Sequence, residues 1–86
     1  MHWVYMVKCS DGTYYTGYAK DVNRRVKEHN ESSKGAKYTR ARRPVTLCYQ
    51  EGYLTRSEAC QREYQIKKMT RQQKEDLVQQ FNKQKI

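Results

Sequence analysis

No stretch of the 86 residues is a long apolar run, and the segments that read as helices are too polar to insert a face deeply, which argues against a membrane protein. Residues 1–7 are apolar but short, with no basic region before them, so they do not read as a signal peptide and a cytoplasmic protein is expected. Cysteine is scarce. Cys9, Cys48 and Cys60 are odd in number and widely spaced, form no Cys-x-x-Cys pair, and have only His2 and His29 to help them, which argues against zinc and for reduced, mostly packed thiols. Repeats, linkers, low-complexity segments, a helix-turn-helix and a zinc finger are all missing, so nothing is present to read a base sequence. A single domain over residues 1–86 is expected, because cores below about 40 residues need staples. Acidic residues are few: 9 Asp and Glu stand against 18 Lys and Arg, and the formal net charge of +9 calls for a polyanionic partner, nucleic acid first.

Tyrosine, by contrast, is abundant. Four of the eight, Tyr5, Tyr14, Tyr15 and Tyr18, lie near the N-terminus around Asp11-Gly12. They could be amphipathic filler for a small core. The β-rich runs at 3–9 and 13–18, separated by Ser10-Asp11-Gly12, predict a hairpin. Asp21 predicts an N-cap, and Val22, Val26 and His29 mark one face of a helix ending near residue 29 or 30. Residues 31–44 read as a loop and 45–49 as a third strand, with Pro44 at its start. Thr55 opens a capping-box pattern for a helix to about Met69, and Thr70 opens another, carrying Leu77, Val78 and Phe81 on its apolar side. Residues 83–86 are expected to fray. The order ββαβαα predicts an α+β fold in which a short three-stranded antiparallel sheet is covered by helices.

Three features resist a purely structural account. Glu63 shares a stripe with Ala59 and Ile66, so a carboxylate points toward the core and needs either an ion pair, the commoner case, or a metal ion. Arg25 and His29 are spaced i, i+4 beside the Val22 and Val26 stripe, and both can donate to phosphate; a lone histidine there is more often packed. Lys34, Lys37, Arg40, Arg42 and Arg43 form a basic loop around Tyr38, suited to phosphate contacts and to stacking on an unpaired base, although charge runs are usually just solvated.

Taken together these residues resemble the GIY-YIG nucleases over nearly the whole chain. Trp3-Val4-Tyr5 stands where the first tripeptide falls and Tyr15-Thr16-Gly17 where the second does. Arg25 and His29 match the family's helix arginine and histidine, and Glu63 its metal-binding glutamate. KGAKYTR, RRPV, RSEA and REYQIKK point to the small stand-alone bacterial branch related to the structure-specific nucleases. The chain departs from the pattern at Trp3, which replaces a glycine, and at Val4 and Thr16, which replace isoleucines.

The resemblance implies an endonuclease that hydrolyses phosphodiesters with one Mg²⁺ or Mn²⁺ on Glu63. The substrate implied is DNA that is branched, flapped or nicked, in repair or recombination, chosen by shape. Arg25 would clamp a non-bridging oxygen. Tyr5 is taken as the general base and Tyr15 as the group that positions water or phosphate, with the reverse assignment open; His29 would bond the phosphate or take up the phenol's proton. Gly17 lets backbone or substrate approach closely. A non-catalytic nucleic-acid-binding module and a tyrosine-faced adaptor for another protein remain as alternatives. The hairpin supplies a geometric condition: a two-residue turn at Asp11-Gly12 would place Tyr5 and Tyr15 on opposite faces, so catalysis requires an odd loop or a bulge. Their Cα atoms would then be four residues apart along the ladder, about 13 Å.

Overall fold

The structure is a computed structural model that describes residues 1–84. Its elements are β1 (His2–Lys8), β2 (Tyr14–Ala19), α1 (Val22–Glu31), α2 (Lys37–Arg40), β3 (Thr46–Tyr53), α3 (Arg56–Lys67) and α4 (Arg71–Gln84). The expected order holds with one addition, the single turn α2 inside the segment read as loop. The third strand also runs to Tyr53, past residue 49. Lys83 and Gln84 are helical rather than frayed, and the rest of that expectation lies outside the described residues.

The three strands form an antiparallel sheet in the order β2-β1-β3. Central position explains why β1 is buried at every residue from Val4 to Val7: both of its faces are covered. On one face Tyr5, Val7 and Cys9 pack with Val22 of α1 and with Val45. On the other, Val4 and Met6 pack with Tyr49 and with Ala59 and Ile66 of α3, while Leu77, Val78 and Phe81 of α4 close over β3. Tyr14 and Tyr18 join this second face, so half of the N-terminal tyrosines are indeed packing residues.

The hairpin loop decides the parity. Cys9 N–H donates to Thr13 O at 2.8 Å and Gly12 N–H to Cys9 O at 2.9 Å, closing a loop of residues 10–12 with Gly12 at φ +84°. That left-handed residue completes the turn-plus-bulge geometry of odd hairpin loops, and glycine adopts it without strain. The Asp11 carboxylate accepts from Thr13 N–H (3.1 Å), Thr13 Oγ1 (2.6 Å) and Arg42 Nε (3.0 Å), tying the turn to the segment before β3. The resulting register pairs Tyr5 with Gly17 and Val7 with Tyr15.

Helix ends follow local chemistry. Asp21 accepts from Arg24 N–H (3.0 Å), and Thr70 and Gln73 exchange side-chain-to-backbone bonds at 2.9 and 3.2 Å. The end of α1 is held by tertiary contacts instead. Arg43 donates to His29 O and Ser32 O at 2.5 and 2.6 Å. The Asn30 amide pairs with both backbone groups of Val45, at 2.7 and 3.0 Å.

Candidate active site

Tyr5 on the central strand and Tyr15 on the edge strand share the face beneath α1, as the odd loop requires. They are diagonal neighbours two positions apart along the ladder, not four. Diagonal pairs of this kind lie roughly 7–8 Å apart, and both rings reach the same imidazole, that of His29, at centroid distances of 5.8 Å for Tyr5 and 5.2 Å for Tyr15. Gly17, opposite Tyr5, makes room for it: a Cβ there would lie 2.5 Å from Tyr5 Oη. The close approach foreseen at Gly17 is made by the protein's own phenol.

His29 is 0% exposed in the last turn of α1, and its ring joins the two tyrosines. Its Nε2 is 2.6 Å from Tyr5 Oη and its Nδ1 is 2.8 Å from Thr39 Oγ1, while Ala36 N–H points at Nδ1 from 3.4 Å. Both ring nitrogens are thus engaged inside the fold, Nε2 by the Tyr5 hydroxyl and Nδ1 by Thr39, whose own hydroxyl also reaches Ala36 O at 2.9 Å. The Tyr15 ring stands edge-on to the imidazole at a centroid distance of 5.2 Å. Burial, then the charges of Arg25 and Arg43 against the opposing Glu28, lowers the His29 pKa to about 4, so the ring is neutral. With both nitrogens engaged inside the fold, His29 has none to offer a phosphate. Its place is behind Tyr5.

Burial first, and the charges of Tyr15 and Glu63 after it, push the Tyr5 phenol up to about 12. The Arg25 guanidinium, which faces the phenol, opposes them by hydrogen bonding and charge. Arg25 is itself tethered, donating to Glu28 Oε1 at 3.2 Å and to Lys34 O at 2.8 Å.

Glu63 lies on α3, which packs on β1 and the edge strand β2. Ala59 and Ile66 of its stripe are fully buried, but Glu63 is half-buried and paired with Lys67 Nζ at 2.9 Å. The ion pair foreseen on pattern grounds therefore exists, to a lysine whose side chain is 52% exposed and free to swing away. Among the described residues no cluster of three or more His, Cys, Asp or Glu is placed to cage a metal. One carboxylate, near enough to Tyr5 for its charge to raise the phenol's pKa, suits an ion of the Mg²⁺ kind, which keeps waters and substrate oxygens in its other positions, and does not suit an all-protein cage.

The basic loop divides. Arg43 holds the end of α1, and Arg42 pairs with Asp11, donates to Tyr38 O and lies 4.0 Å over the Tyr38 ring. Arg40 donates to Ser33 O but stays exposed, as do Lys34 and Lys37. Tyr38 stacks toward Tyr15 at 6.0 Å between centroids. Between Tyr38 and the edge strand opens a cleft of about 240 Å³ lined by Tyr14, Tyr15, Thr16, Tyr38, Lys67 and Lys74. Thr39, Lys67 and Lys74 were not singled out by sequence reasoning. Thr39 lies inside the KYTR stretch, but its contact with His29 spans ten positions and leaves no periodic signal.

Comparison with known proteins places the chain in context. The model of the GIY-YIG catalytic domain matches residues 1–76. A UPF0213 protein of Staphylococcus epidermidis is 65% identical over 78 residues, 91% of this chain and 94% of the relative. A UPF0213 protein of Staphylococcus aureus is 65% identical over 77 residues, 90% and 93% of the two chains. Two solution NMR structures share the fold: a UPF0213 protein from Bacillus halodurans (47% identity, TM-score 0.59, 91% of this chain and 82% of that one) and a protein from E. faecalis (46%, 0.62, 94% and 85%).

Proposed function

The chain belongs to the GIY-YIG nuclease family, and from that premise we propose that it is a divalent-metal-dependent endonuclease that hydrolyses phosphodiester bonds in DNA. The observation that carries the reading is the Tyr5 hydroxyl, set on the shared face with Tyr15 between His29 Nε2 and the Arg25 guanidinium. A phenolate formed there lies beside the Arg25 cation and within hydrogen-bond reach of the His29 ring, so this oxygen is the one prepared to take a proton from water. In the free protein burial keeps it a phenol. Neutralising the Glu63 carboxylate removes one of the charges that hold the proton on. Arg25, permanently charged and planar, donates to a non-bridging oxygen of the scissile phosphate. The Tyr15 hydroxyl positions water or phosphate beside it.

Glu63 would hold a single Mg²⁺ or Mn²⁺, which when bound stabilises negative charge on the phosphate and the leaving oxygen. The excess of basic residues supports a nucleic-acid substrate, and the small domain with no base-reading module supports selection by shape, at branches, flaps or nicks in repair or recombination. No described helix is long and apolar enough to cross a membrane, and a cytoplasmic site of action is part of the proposal.

The test is cleavage of branched, flapped, nicked and linear DNA with Mg²⁺ or Mn²⁺ by the wild type and by Glu63→Ala. Metal-dependent nicking should fall at least about a hundredfold in the variant. Nicking that survives the substitution removes Glu63 from the metal role. Absence of cleavage by both proteins, with salt-sensitive binding intact, makes the chain a binding module.

A further inference from the structure

The cleft between Tyr38 and the edge strand lies outside the group formed by Tyr5, His29, Arg25 and Glu63, yet it touches that group twice. Tyr15 forms one wall and stands edge-on to His29. Lys67 forms another and pairs with Glu63. Its remaining lining is aromatic and basic, with the phenols of Tyr14 and Tyr38 and the ammonium of Lys74. Phenol walls accept the flat face or edge of a base, and two lysines suit the phosphates on either side of it.

Thr16 provides a second, independent observation. It is 4% exposed, borders the cleft, and its Oγ1 is one of two buried side-chain polar atoms among the described residues that have no hydrogen-bond partner. Burying a hydroxyl unpaired costs about 1–3 kcal/mol. Nothing in the fold asks for that hydroxyl, since the matching position of the family tripeptide is isoleucine.

We infer that this cleft is a nucleoside subsite that takes one unpaired base adjoining the scissile phosphate, so that the substrate presents a single-stranded nucleotide at the cut. The inference rests on the nucleic-acid reading above and deepens it. A base inside a duplex has its faces covered by its neighbours and its pairing edge occupied, so only a nucleotide out of the stack can fill a space of this size with phenol walls. Tyr38 is fixed beside the cleft by stacking toward Tyr15 and by the Arg42 guanidinium over its ring, so it meets the base with its edge and hydroxyl rather than a free face. Thr16 Oγ1 then finds its partner on the edge of the base.

The experiment is fluorescence anisotropy with the full chain in metal-free buffer, where no cleavage intervenes, using end-labelled single-stranded oligo-dT, the same strand with abasic sites, and a blunt duplex. Oligo-dT should bind about tenfold more tightly than the abasic strand and more tightly than the duplex, a ratio within the range of single base-stacking contributions. Tyr38→Ala should close the gap between oligo-dT and the abasic strand. Thr16→Val should weaken oligo-dT binding several-fold while raising the unfolding midpoint, a combination that a misfolded variant cannot give. Equal affinity for oligo-dT and the abasic strand, or duplex binding as tight as single-strand binding, overturns the inference. So does a Tyr38→Ala protein that keeps the gap. Efficient duplex cleavage with base-independent binding would leave the nuclease reading standing without the subsite, and a persistent base-dependent gap with no cleavage would do the reverse.

Discussion

His29 shows how much of the site depends on single residues. Its spacing with Val22 and Val26 places it on the buried side of α1, and that much is local and legible. What the ring does there is set by Thr39 and Ala36 on one nitrogen and by Tyr5 on the other, contacts between segments that no spacing reports. The consequence is a pH dependence. The folded-state pKa of about 4 lies below the ordinary 6.5, because burial and the charges of Arg25 and Arg43 disfavour the imidazolium. The unfolded chain therefore binds the extra proton first. Stability from this group is complete above pH 6.5 and is lost as pH falls through that value toward about 4. The full loss is about 3 kcal/mol at 1.36 kcal/mol per unit. Urea unfolding at a series of pH values should show it, and His29→Gln should flatten that segment of the profile. An unchanged profile in His29→Gln would mean that other groups carry the acid sensitivity.

Among the elements, the hairpin loop has the largest functional consequence for its size. Asp11-Gly12 is a turn signal in any reading of the sequence, but whether the loop holds two residues or three depends on the hydrogen bonds from Cys9 to Thr13 and from Gly12 to Cys9. The choice moves Tyr15 from one face of the sheet to the other. Gly12→Ala isolates the backbone contribution: an added Cβ meets nothing within 4 Å, so only the left-handed φ of +84° opposes it. The expected loss is about 1–2 kcal/mol by denaturant titration, with cleavage per folded molecule unchanged. A larger loss accompanied by inactivity would mean that the loop changes register when the glycine is replaced. Helix starts were legible at Asp21, Thr55 and Thr70 because caps act over three residues. The turn α2 and the second half of β3 were not, for the opposite reason. One is held by His29 from α1, ten positions before Thr39, and the other is a strand because residues 2–5 of β1 pair with it across Gly52.

At the scale of the whole molecule, the sheet between α1 on one side and α3 with α4 on the other leaves the β2 edge as the place where both helix layers and the basic loop meet. That edge carries Tyr15, Thr16 and Gly17, with Lys67 and Tyr38 beside them. The net charge of +9 is not spread evenly in its use. Five of the acids, Asp11, Glu28, Glu51, Glu63 and Glu75, are already paired, and Arg42 and Arg43 each bond the fold through two of their guanidinium nitrogens. Lys34 and Lys37 are exposed and point their charge outward. The loop that reads in sequence as one basic patch should therefore behave as two. In metal-free binding to single-stranded DNA over a range of salt, Lys34→Ala and Lys37→Ala should each reduce the log–log slope by about 0.7, the single-strand increment for one phosphate contact. Arg43→Ala should leave the slope within error while lowering the thermal midpoint by about 4 °C or more, since the end of α1 loses its donors. A drop in slope from Arg43→Ala with the midpoint unchanged would show that its guanidinium leaves the helix for phosphate, and that the loop acts along its whole length as a track for the nucleic-acid backbone.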